Sequence, residues 1–235
     1  PSPPPPPTCL SLGVAFSRWR PQIVAMVTEL GDDVWWYDLR GVNAYLVDDG
    51  TVTLVDAGNP WDGRNLVLGI DQAGYSLQDV DRVLLTHYDF DHVGGLGRLQ
   101  GLDATVYVGA ADEPYLTGKE RPPLSNHKGA LQNALGPFLK SPALSVETVA
   151  DGDEIGSFTA YHTPGHTPGH VAYVSEALDA AFLGDLVRES GGDLRASPWL
   201  MSYDTDAVRE SVLDLADRAP DFSVAAMGHG TPFAA

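Results

Sequence analysis

The order of elements predicts an α/β protein in which two mixed β-sheets pack together with helices outside. Three observations lead there. β-rich and helical stretches alternate along the chain, twice over. At 235 residues and 43% hydrophobic content, the chain can bury a substantial core. Residues able to bind metal collect in turns directly after apolar strand-like runs, where open sheets place their sites.

Residues 1–25 stand apart. Pro3 to Pro7 form an unbroken proline run, and the segment carries Arg18 and Arg20 but no acid. It is expected to be a disordered or non-native extension ahead of a single domain over 26–235. A signal peptide is the rival reading, but no basic residue precedes its short apolar stretch, which opens at Cys9. Strands are expected at Val34–Tyr37, Ala44–Val47 and Val52–Val55, with a tight hairpin at Asp49-Gly50. A helix over 61–74 with its exit at 77–81 leads into a buried strand, Asp81–Thr86. Thr105–Val108 is another strand. An insertion over 111–142, helical near His127 to Leu139, could cover a site. A second set of strands follows at Ser145–Val149, Phe158–His162, Val171–Val174 and Ala181–Leu183. A helix over 204–218 and a last strand, Ser223–Met227, close the chain.

Charge bounds the function. The 32 acidic residues, 24 of them Asp, outnumber 14 basic ones, of which only Lys119, Lys128 and Lys140 are lysines. This pattern suits a halophile's protein, kept soluble in concentrated salt by surface carboxylates. It argues against a nucleic-acid partner, which needs a basic footprint. No apolar run approaches the roughly 20 residues of a membrane span, so a cytoplasmic protein acting on a small molecule is expected. A single cysteine, Cys9, excludes a disulfide framework and a Cys-rich zinc site.

The densest chemistry lies in Thr86-His87-Tyr88-Asp89-Phe90-Asp91-His92-Val93-Gly94-Gly95, four potential ligands between an apolar run and glycines. Asp91 sits near an expected helix start. Thr163-Pro164-Gly165-His166-Thr167-Pro168-Gly169-His170 is a turn with its backbone fixed by Pro and Gly. Phe182-Leu183-Gly184-Asp185 ends a strand with an acid, and Met227-Gly228-His229 ends another with a histidine.

In their order and spacing, with Val55-Asp56-Ala57-Gly58 upstream, these pieces resemble the metallo-β-lactamase-fold superfamily of metallohydrolases over roughly residues 28–232. The resemblance implies a four-layer αβ/βα sandwich with its site at one edge between the sheets. It also implies two divalent metal ions, zinc by default, with iron or manganese as alternatives. His87, the residue at 89 and His166 would hold the first ion. Asp91, His92 and His229 would hold the second, and Asp185 would bridge both. A metal-bridging hydroxide would attack the carbonyl of a small ester, lactone or thioester, with Asp91 or a metal-bound water protonating the leaving group.

The chain departs from the family at Asp89, where histidine is usual. Asp89 is expected to be a carboxylate ligand; the competing readings are that it turns away and leaves the first metal weakly held, or that the site is degenerate and inactive. As a ligand it would bring two divalent ions, three carboxylates and a hydroxide to neutrality, weaken Lewis acidity and harden the first position toward iron or manganese. The flavo-diiron branch of the superfamily resembles this chain in having a carboxylate there, which keeps a diiron redox role as an alternative. A nuclease and a non-catalytic metal-binding scaffold are the others. Asp56 is expected to orient a ligating histidine. His170 is expected behind the ligands rather than among them, and His162 at a strand end. His127 could begin a solvated helix or face substrate. Trp199 and Tyr203 could line a pocket or pack in the core.

Overall fold

The computed structural model describes residues 26–141 and 143–234, so the extension expected over 1–25 lies outside the described residues. The first half runs β1 (Met26–Gly31), β2 (Val34–Asp38), β3 (Asn43–Asp48), β4 (Val52–Val55), α1 (Gly63–Gln72), β5 (Val80–Leu84), α2 (Phe90–Val93), β6 (Thr105–Gly109), α3 (Glu113–Leu116), α4 (His127–Leu135) and β7 (Ser145–Val149). The second runs β8 (Glu154–Ile155), β9 (Phe158–His162), β10 (Val171–Ser175), β11 (Ala180–Gly184), β12 (Val187–Ser190), β13 (Asp193–Ala196), α5 (Thr205–Arg218), β14 (Val224–Met227) and β15 (Phe233–Ala234).

Two large mixed sheets result. The first has seven strands in the order β1 to β7, and the second six in the order β15-β14-β11-β10-β9-β8. β4 to β7 run parallel, as do β11 and β14, and the remaining neighbours are antiparallel. Ser145–Val149, expected with the second set of strands, instead pairs with β6 at the edge of the first sheet. It is mostly exposed, so no apolar alternation marks which sheet it joins. The β12–β13 hairpin was not anticipated, and β13 is exposed throughout.

Three cores separate four layers. Between the sheets, Tyr45, Val47, Val55 and Leu84 meet Phe158, Tyr173, Phe182 and Ala226. On the outer face of the first sheet, Leu46, Leu54 and Val83 pack with Leu66 and Ile70 of α1. On the outer face of the second, Val174, Ala181 and Leu183 pack with Val208 and Leu215 of α5. Alternate residues of one strand thus serve different cores, which is why the strands read as continuous apolar runs. No helix among the described residues is long and apolar enough to cross a membrane.

Candidate metal centre

The loops that leave β5, β9, β11 and β14 converge at one edge between the sheets. Hydrogen bonds to backbone carbonyls hold them there: Val171 N–H donates to Thr86 O (2.8 Å), Asn43 N–H to Gly228 O (2.8 Å) and the Tyr45 side-chain O–H to Met227 O (2.6 Å). Two glycines allow the approach. A Cβ at Gly184, whose φ is +50°, would lie 2.6 Å from Thr86 Cβ, and one at Gly228 would lie 2.6 Å from His92 Cε1 and closer still to Asp185 Oδ1. The Gly-Asp and Gly-His pairs of the sequence therefore have a steric reason.

All seven expected ligand positions meet at this edge. His87, Asp89, His166 and Asp185 offer ligand atoms within 4.8 Å of one another, and so do Asp91, His92 and His229. Asp185 reaches both groups, with Oδ2 3.3 Å from His166 Nε2 and 3.2 Å from His229 Nε2, and Oδ1 3.5 Å from His92 Nε2. The first group is buried, whereas the side chains of Asp91 and His229 are about one-third exposed, at 32% and 29%.

Each imidazole is held through Nδ1, leaving Nε2 for the centre. His92 Nδ1 bonds Asp56 Oδ2 (2.8 Å), His166 Nδ1 bonds Ser197 Oγ (2.9 Å) and His229 Nδ1 bonds Gly41 O (2.5 Å). The Thr86 hydroxyl donates to Asp56 Oδ2 (2.8 Å) and so can accept from His87 Nδ1 (2.9 Å). Asp56 thereby orients two histidines, a role ligating imidazoles usually assign to a carboxylate. Among the described residues, His87 Nε2, His92 Nε2 and Asp185 Oδ1 are buried with no hydrogen-bond partner. Unpaired buried polar atoms are costly, and a cation shared by these imidazoles and carboxylates would satisfy them, so the residues fit divalent metal.

The electrostatics follow from burial and pairing. Burial and the neighbouring His92 push the His87 imidazole down to about 3. His92 is raised to about 10, because Asp56 and Asp185 outweigh its burial, and Asp185 raises His229 to about 9 against burial. Burial would raise Asp185, but His92, His166 and His229 hold it well below the usual carboxylate range.

His170 lies behind the cluster. Its Nδ1 bonds Thr163 Oγ1 (2.8 Å), its Nε2 accepts from Asp185 N–H (3.2 Å), and its ring stacks on His87. His162 ends β9, exposed, against Pro168 O. His127 begins α4 stacked on Trp199, and Tyr203 donates to Gln132 Oε1. Sequence reasoning missed Lys128 and Gln132 of α4. Lys128 Nζ lies 2.8 Å from Asp89 Oδ2, and Gln132 Nε2 donates to Asp89 Oδ1 (2.7 Å). Burial would raise Asp89, yet the Lys128 ammonium, with His166 and His87 close by, holds it well below its ordinary value. The available signal was a lysine in a chain with three, four residues before Gln132 on one helix face.

Two clefts flank the centre. One of about 200 Å³ is lined by Asp89, Asp91, Lys128, Leu131, Leu135 and Met201 among others. The other, about 310 Å³, is lined by Asp185, Arg188, Ser197, Pro198, Met201 and His229.

The profile of the Metallo-beta-lactamase superfamily matches residues 37–229. Two curated relatives come from Bacillus subtilis (strain 168). The uncharacterized protein YobT is 30% identical over 204 residues, 80% of this chain and 83% of that one. The probable metallo-hydrolase YflN is 30% identical over 200 residues, 76% and 75% of the two chains. Among solved structures, TTHA1623 in a di-iron-bound form superposes with a TM-score of 0.64 at 29% identity, covering 82% of this chain and 89% of that one. MEM-A1, a subclass B3 metallo-beta-lactamase from a soil metagenome library, gives 0.66 at 25% identity, covering 86% and 79%. The match along most of the chain, and the meeting of its imidazoles and carboxylates between two sheets, place this protein in the metallo-β-lactamase superfamily of metallohydrolases.

Proposed function

We propose that this protein is a dinuclear metallohydrolase of a small ester, lactone or thioester. The observation that carries the reading is the set of unpartnered ligand atoms, His87 Nε2, His92 Nε2 and Asp185 Oδ1, in a cluster whose Asp89, Asp91, Asp185 and His229 line two small clefts. Divalent ions held there would supply Lewis acidity toward a carbonyl and make hydroxide available near neutral pH.

The chain's own residues do the rest. Asp185 ties the two ligand groups together, and Asp56 fixes the rings of His92 and, through Thr86, His87. Leu131, Leu135 and Met201 offer apolar surface to an acyl or alcohol portion and keep water from it. Arg188 lies in the wider cleft, where its guanidinium suits an oxygen-rich end of a substrate. Asp91, more exposed than Asp89 or Asp185 and lining the narrower cleft, is placed to pass a proton to the leaving oxygen or sulfur.

Zinc remains the default metal. The Asp89 carboxylate and the likeness to a relative solved with two irons support testing iron and manganese beside it. The net charge of −18 supports a salt-rich cytoplasm as the setting and weighs against a nuclease. Metal quantification followed by a panel of lactone, thioester and phosphodiester substrates tests the reading. The expected result is bound transition metal and chelator-sensitive hydrolysis of a lactone or thioester. Hydrolysis that survives chelation, or turnover of the phosphodiester alone, would overturn it.

A further inference from the structure

Lys128 stands in an unusual place for a lysine. It is 3% exposed, in the first turn of α4, where the Asn126 side chain caps the helix by accepting from Lys128 N–H (2.9 Å). Its Nζ lies 2.8 Å from Asp89 Oδ2 and 2.5 Å from His166 Nε2. One turn on, Gln132 donates to Tyr88 O (2.6 Å) and to Asp89 Oδ1 (2.7 Å). Asn126 Nδ2 donates to Tyr203 O (3.1 Å), and Tyr203 donates in turn to Gln132 Oε1. The helix is thus locked onto Asp89 at both carboxylate oxygens.

The contact with His166 has a chemical consequence. A lysine ammonium has only N–H donors, so where it meets His166 Nε2 that nitrogen accepts with its one ring lone pair, and Asp89 Oδ2, 3.0 Å from the same nitrogen, accepts its hydrogen bond from Lys128 instead. A metal ion needs that same lone pair. In this arrangement Lys128 and an ion at His87, Asp89, His166 and Asp185 exclude one another. The other group differs. Among the described residues, no lysine or arginine pairs with Asp91 or Asp185, whose ion-pair partners are histidines.

We propose that Lys128 is an internal competitor for the first metal ion. Asp91, His92, His229 and the shared Asp185 take an ion first and tightly. The His87, Asp89 and His166 group fills only when the Lys128 side chain withdraws from His166, so the two ions bind in steps of unequal affinity. This rests on the metal-dependent reading above, and the Asp89–Lys128 pair gives the departure from histidine at position 89 a purpose. The protein supplies its own cation for the carboxylate it placed there.

The test is a zinc titration of the metal-free protein against a chromophoric chelator, which reads stoichiometry and affinity without any substrate. The wild type should bind one equivalent tightly and a second roughly 10–100-fold more weakly. Lys128→Met should tighten the second step by a similar factor and leave the first in place. Lys128→Gln, which keeps a polar end, serves as a second variant with its fold checked by circular dichroism. Two equal steps in the wild type, which needs no variant, would overturn the proposal. So would an unchanged second step in a folded Lys128→Met or Lys128→Gln protein. A chain that binds no zinc at all would overturn the metal-dependent reading as well, whereas two equal steps would overturn the competitor alone.

Discussion

The two ligand groups share one edge of the sandwich but are built differently. His87, Asp89, His166 and Asp185 are sealed in, and the carboxylate peculiar to this group is answered by protein, with Lys128 and Gln132 on Asp89 and Ser197 on His166. Asp91 and His229 are about one-third open, and His92 Nε2 beside them has no partner among the described residues. Burying a carboxylate demands compensation, and the protein supplies a cation at one group while relying on an ion at the other. The closed group is therefore the half held by protein contacts, and the open group the half that meets solvent.

Asp185 is where this contrast can be broken most sharply, because its oxygens lie 3.2–3.5 Å from histidines of both groups. Asp185→Ala should lower metal content at both and cut hydrolysis by more than the roughly 10–100-fold typical of an outer partner. Elemental analysis with circular dichroism checks this. Loss of metal from one group only would show that Asp185 serves one half alone.

The next largest effect belongs to Asp56. It sits at φ +58°, a conformation asparagine tolerates, so Asp56→Asn preserves the turn while weakening the acceptor for His92 Nδ1 and Thr86. Metal affinity of the open group should fall roughly 10–100-fold, with a smaller change at the closed group. Equal losses at both, measured by competition with a chelator, would mean that the Thr86–His87 link matters as much as the direct bond.

How much of this was legible in sequence depends on distance along the chain. His166, Asp185 and His229 could be read because each follows a glycine in a strand-end turn, which the packing requires at Gly184 and Gly228, and His87 to His92 because four potential ligands crowd into six residues after a strand. The layered fold could be read because strands buried on both faces leave continuous apolar runs. Lys128 and Gln132 could not be. They reach the centre from an insertion, Gln132 lying 43 positions from Asp89, and nothing local in a helix start says which way a lysine points. β7 escaped for a related reason: an exposed edge strand carries little pattern, and only pairing with β6 assigns it.

Asp89→His sharpens the comparison from the closed side. It removes a hard ligand, which should shift metal preference toward zinc in a competition between zinc and manganese. It also leaves the buried Lys128 without its carboxylate, so the closed group should gain more in Asp89→His/Lys128→Met than in the single variant. Metal content and preference unchanged by Asp89→His would remove Asp89 from the ligand set.

The smallest expected effect comes from Asp112, which ties the closed group's two loops together by accepting from Tyr88 N–H (2.8 Å), Thr167 Oγ1 (2.7 Å) and Gly169 N–H (2.9 Å). Burial pushes its carboxyl up to about 6 despite these bonds, above its ordinary value of 3.8. A folded-state value raised in this way contributes stability that is present below the unfolded value and lost as pH rises through about 6. The native protein thus tolerates a buried anion at neutral pH for the sake of the loop junction. Asp112→Asn cannot ionise, so its Tm relative to wild type should improve between about pH 4 and pH 7, by no more than about 3 kcal/mol in stability. Both proteins should be metal-free, so that only this carboxyl differs between them. A gap independent of pH would mean that Asp112 keeps one protonation state throughout, and that its three donors, rather than its burial, set its charge.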